Sequence, residues 1–107
     1  MAKYVADQLS GLNGGRALLR RSYYERLHRT LDGSETGFTI GWGVRRDPRL
    51  GVVHYGAGSG GTFFVRIFVI PDRQIALVAA VNSGEAGPAT RDLFDELLAA
   101  HSVKHEP

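Results

Sequence analysis

The chain contains no cysteine, which excludes disulfides, thiolate catalysis and cysteine-bound zinc. It is also short of long apolar runs. The longest, Ile75 to Val81, falls well below the roughly 20 residues that a membrane-spanning helix needs. Met1-Ala2-Lys3-Tyr4 opens without an apolar signal core, and Asp7 and Gln8 would break one, so no signal peptide is read and the compartment stays unassigned. Charge of one sign is scarce too. Net charge is +2, with acidic residues scattered among the arginines, which speaks against a nucleic-acid partner.

What is present suits a globular domain. Hydrophobic residues make up 43% and charged residues 22% of 107 positions, enough for one domain with its own core and too apolar for wholesale disorder. Apolar spacing predicts a helix over 1–12, stopped by Asn13-Gly14-Gly15. Ser22-Tyr23-Tyr24-Glu25 reads as a capping box opening a second helix that ends by Asp32-Gly33. Phe38 to Val44 alternates as one strand with Phe38, Ile40, Trp42 and Val44 on a single face. Arg45 to Arg49 reads as a polar turn and Val52 to Tyr55 as a short strand before a glycine-rich crossing. Thr62 to Ile70 and Ile75 to Asn82 read as two strands joined by a Pro71–Gln74 turn. A last helix starts near Pro88 and carries the stripe Leu93, Phe94, Leu97 and Leu98, with the tail from His101 fraying. The expected class is α+β: a mostly antiparallel sheet of about four strands with helices at both chain ends. The last two strands are apolar on both faces. Apart from Arg66 both faces therefore call for cover, either from the terminal helices split between them or from a missing lobe or partner chain.

Three patterns carry no chemistry. Gly56 to Gly61 has the spacing G-x-G-x-x-G, but Thr62-Phe63-Phe64-Val65 continues as strand where a nucleotide site needs a helix N-terminus. His101 and His105 share an i, i+4 spacing without further ligands, so no metal and no cofactor is assigned. Arg16, Arg20, Arg21, Arg26 and Arg29 read as a solvated helix face.

His54-Tyr55-Gly56 is different because of its surroundings. Phe38-Thr39-Ile40-Gly41-Trp42-Gly43 precedes it, Pro71-Asp72 with Ile75-Ala76-Leu77-Val78 follows it, and Asn82-Ser83-Gly84 closes the run. In this order the segments resemble the C-terminal part of the serine β-lactamase and penicillin-binding-protein family, the β-lactamase-related hydrolases. The resemblance covers nearly the whole chain as a single partial domain, 1–107. It implies a Lys/His-x-Gly pocket strand. His54 would be a polar or cationic anchor for an anionic substrate group, and Tyr55 would occupy a place usually held by a small hydroxyl residue. Gly56 would admit substrate backbone, and Ala57 would offer its N–H to an oxyanion.

The family's Ser-x-x-Lys is absent. Ser10, Ser22, Ser34, Ser59, Ser83 and Ser102 are followed three residues later by Asn, Glu, Gly, Thr, Ala and His. No catalytic residue is therefore assigned within these residues, and the resemblance implies a partner: an N-terminal catalytic portion, with a small acyl substrate once the pocket is complete. The alternative is a noncatalytic α+β module that forms homo-oligomers through its sheet.

Overall fold

The computed structural model describes the chain from Met1 to His105, with side chains as far as Ala100. The expectations for the side chains of His101 and His105 and for the final residues thus lie outside the described residues. The fold is α+β. Helices α1 (Ala2–Leu12) and α2 (Arg21–Leu27) precede strands β1 (Gly37–Phe38), β2 (Gly43–Asp47), β3 (Gly51–Ser59), β4 (Phe64–Ile70) and β5 (Ile75–Val81), and α3 (Gly87–His105) follows. The strands form one antiparallel sheet in the order β1-β2-β3-β4-β5, so each neighbour in sequence is a neighbour in space. Five strands replace the four expected because the Phe38–Val44 run is not one strand.

The chain divides into two compact units, one of Met1–Ala57 with Ile67–Val78, the other of Gly58–Arg66 with the chain from Ala79 onward. In the first unit, Val5, Trp42 and Val69 form a buried cluster joined by Leu9, Leu12, Ile67, Ala76 and Val78. Full burial of side chains such as Val5 and Val69 contributes roughly 1.5–3 kcal/mol each. Tyr4 stacks on Trp42 with ring centroids 6.3 Å apart. Helix α1 ends at Asn13, and Gly14 takes the left-handed φ of +74° that the turn needs. The fully buried Tyr24 ring lies against Gly11, where any side chain would overlap it. Its hydroxyl donates to Asp7 Oδ2 at 2.6 Å and accepts the Leu19 N–H at 3.1 Å, while Asp7 Oδ1 takes the Leu18 N–H at 2.9 Å. These bonds fasten the loop between α1 and α2. Burial, then the bond to Asp7, push the Tyr24 hydroxyl pKa up.

Two local expectations are corrected here. Ser22 lies inside α2 and Arg20 precedes it, with no side-chain cap; Glu25 instead pairs with Arg21 at 3.1 Å, one helical turn back. The Phe38–Val44 alternation breaks at a tight hairpin. Thr39 N–H donates to the Trp42 carbonyl at 2.8 Å, Trp42 N–H returns to Thr39 Oγ1 at 3.1 Å, and Gly41 sits at φ +128°. The reversal buries Trp42 and Val44 but leaves Phe38 69% and Ile40 74% exposed, so the four residues do not share one covered face.

The Arg45–Arg49 segment is likewise shorter as a turn than expected. β2 runs on to Asp47, whose Oδ1 accepts the N–H groups of Arg49 and Leu50 at 2.8 and 3.0 Å and closes the hairpin to β3. Pro71–Arg73 forms a 3-10 turn, with Gln74 left-handed at φ +55° before β5.

In the second unit, β3 continues through Ser59, so most of the glycine-rich stretch is strand and not a loose crossing. Gly60 N–H donates to the Phe63 carbonyl at 3.2 Å, and Gly61 turns at φ +87°. Arg66 lies over the Phe64 ring at 5.3 Å and binds Thr90 Oγ1 at 3.1 Å and the Gly87 carbonyl at 3.3 Å, holding the start of α3. Thr90, Phe94 and Leu98 are buried along one line of α3, whereas Leu93 and Leu97 are exposed. The expected four-residue stripe is therefore half as wide, because residues spaced by four form the contact line.

Candidate functional site

The candidate site is built on β3. His54 pairs with Val44 across the β2–β3 ladder and Tyr55 with Gly43. Successive strand residues point to opposite faces, so His54 and Gly56 share one face while Tyr55 and Ala57 share the other. The four residues singled out from the sequence are contiguous but cannot all line one wall. The Tyr55 ring lies across Gly43, where a side chain would overlap it. Glycine on the neighbouring strand is what accommodates the bulky residue at this place. Gly56 is covered by Ile67, whose Cγ1 would stand 3.2 Å from a Cβ placed there, so the close approach assigned to Gly56 is taken up by a core side chain. Ala57 is exposed.

His54 itself requires a correction. The strand expected over Val52 to Tyr55 would put His54 near its end, on the edge of a pocket. The residue lies in the middle of β3 and is only 7% exposed. The physical reason is a partner that the sequence reading missed. His28, just after α2 and 5% exposed, sets its Nδ1 3.1 Å from His54 Nδ1, with the two rings edge to face at 4.6 Å and 88°. His28 Nε2 lies 2.6 Å from Oε1 of Gln8, which is buried on α1. The His28 ring also leans on Trp42, at 4.6 Å between centroids. Three elements thus converge on a buried polar row, Gln8–His28–His54. Buried polar groups persist where they satisfy one another. Gln8 carried a signal: it lies three and four residues beyond Val5 and Tyr4, a polar residue on the apolar side of α1. His28 carried none, since its neighbours in the row are distant in sequence.

Burial, and then the charge that His54 would carry, push the His28 pKa down to about 3. Burial alone lowers that of His54 to about 4. A charged imidazole without a carboxylate beside it is costly in such surroundings. Both rings are therefore neutral at neutral pH, so of the polar or cationic character expected for His54 the cationic one does not apply.

Among the described residues no group of three or more His, Asp or Glu side chains is gathered as a metal site. No described helix is long and apolar enough to cross a membrane. Compared with family models, with curated proteins and with solved structures, the chain finds no match.

Proposed function

We propose that this chain is the C-terminal segment of a β-lactamase-related serine hydrolase domain, of β-lactamase, esterase or D,D-peptidase type. It supplies the His-x-Gly strand and most of the sheet and is inactive on its own. The observation that carries this reading is the order of segments along an antiparallel sheet with helices at both ends. A glycine-bearing hairpin ending in Trp42 leads to His54-Tyr55-Gly56 in β3, then to the β4–β5 hairpin through Pro71. In the complete pocket a serine from Ser-x-x-Lys adds to an acyl carbonyl. The Ala57 N–H then stabilises the oxyanion before the leaving group departs. The nucleophile and its proton acceptor come from an N-terminal portion, because none of the six serines here has a lysine three residues on. The test is the coding sequence upstream of Met1. An in-frame Ser-x-x-Lys followed by Tyr-x-Asn or Ser-x-Asn is the expected finding, and an upstream stop codon with neither motif overturns the reading.

A second reading, a noncatalytic module that self-associates, is favoured by one observation. β5 is the last strand in the sheet order and presents the uncharged, proline-free run Ile75–Val81 at an edge. Such edges template pairing with another strand.

A further inference from the structure

Proton counting orders the Gln8–His28–His54 row. The carbonyl oxygen Oε1 of Gln8 can only accept, so His28 Nε2, 2.6 Å away, carries a hydrogen. A neutral imidazole has one N–H, so His28 Nδ1 is bare and must accept from the ring nitrogen 3.1 Å from it, His54 Nδ1. His54 then holds its single proton at Nδ1. Its Nε2 is left with a lone pair and no protein partner among the described residues, while no buried side-chain nitrogen or oxygen there lacks one, so Nε2 reaches solvent. A Gln8 amide turned through 180° would reverse every donor and acceptor along the row.

We propose that Gln8 and His28 are positioning residues that hold His54 as the Nδ1–H tautomer, so that its Nε2 binds an uncharged hydrogen-bond donor of the ligand, an amide N–H or a hydroxyl, and not a carboxylate. The ring order stands on the Gln8–His28–His54 contacts, with the Gln8 oxygen facing His28 and both rings neutral; the ligand class rests on the His-x-Gly reading proposed above. Gln8 acts at a distance. It touches only His28, but it fixes which nitrogen of His54 is bare, as outer hydrogen-bond partners fix the tautomers of catalytic and metal-binding histidines.

The experiment is long-range ¹H–¹⁵N correlation spectroscopy on the ¹⁵N-labelled full chain at pH 7. The expected spectrum has His28 protonated at Nε2 and bare at Nδ1, and His54 protonated at Nδ1 and bare at Nε2. A protonated His54 Nε2, or an even mixture of tautomers, overturns the ring order. In Gln8→Leu, and in Gln8→Met should the leucine variant not fold, both rings are expected to become tautomer mixtures, because neither side chain offers His28 Nε2 an acceptor; an unchanged order in either folded variant refutes the positioning role. The wild-type spectrum decides the ring order whether or not either variant folds. For the ligand class, acetamide and acetate are titrated separately. Acetamide is expected to shift His54 Nε2 at least threefold further than acetate at equal concentration, and a larger acetate shift, or no shift with acetamide, overturns the assignment. Reversed rings with the upstream Ser-x-x-Lys present would sink this inference and leave the hydrolase reading standing. The expected rings without that motif would do the opposite.

Discussion

Mild acid should destabilise this protein through two rings. His28 and His54 have pKa values of about 3 and about 4 in the folded chain, against about 6.5 for an exposed imidazole. Between those limits the unfolded chain binds protons that the folded chain refuses, so stability falls as pH falls. The contribution is fully present above pH 6.5 and is lost progressively toward the folded values. Each ring at full slope costs about 1.4 kcal/mol per pH unit, so the pair should cost about 2 kcal/mol between pH 6 and pH 5, where the unfolded rings are mostly but not wholly charged. The carboxyls of Asp32 and Asp47 do not contribute in that window. Hydrogen bonds, from Ser34 and from the Arg49 N–H respectively, hold both below their ordinary range, so their stabilisation is lost only at more acid pH. Urea unfolding followed by Trp42 fluorescence at quarter-unit steps from pH 7 to pH 5 reads the slope directly. His28→Gln removes one of the two rings and should roughly halve it, which also separates the pair from the other histidines of the chain. A stability that stays level from pH 6.5 to pH 5, or a slope unchanged in His28→Gln, would refute the buried neutral row.

Three further outcomes are expected. Gly11→Ala gains about 1 kcal/mol of helix propensity but pushes a methyl into the Tyr24 ring, which its bonds to Asp7 and Leu19 keep from retreating; with overpacking costing about 1–3 kcal/mol, a net loss of up to about 2 kcal/mol should appear in urea midpoints. Gly43→Ala should lose stability for the same reason against the Tyr55 ring, and combining it with Tyr55→Thr should restore most of the loss. If β5 pairs edge to edge with a second copy, sedimentation equilibrium at micromolar concentration gives a species of twice 11.7 kDa, and Ala80→Lys on that strand returns it to the monomer.

Much of the fold was legible in the residues because local chemistry set it. Glycine after Asn13 ended α1, Pro71 turned β4 into β5, and the β4 and β5 apolar runs became strands, giving the α+β antiparallel class. Failures came where tertiary geometry overrode a local pattern. The alternation from Phe38 to Val44 is also compatible with a hairpin, and Gly41, which tolerates a positive φ, decides for it. Ser22 fits a capping box by spacing, yet the cap position falls two residues earlier, on Arg20. The site was half legible. His54-Tyr55-Gly56 stood out as a triplet. Its burial depended on His28, 26 residues away, and on Gln8, a further 20 residues back, and no spacing rule links residues so far apart.

The hydrolase reading is tested most directly by intact-mass spectrometry after fluorophosphonate treatment. The 107-residue chain and the polypeptide extended through its upstream in-frame codons are treated side by side. The chain should stay at 11.7 kDa, and the extended form should gain one adduct, mapping to a Ser-x-x-Lys serine upstream of Met1. A stoichiometric adduct on the short chain, or none on the extended one, would contradict it.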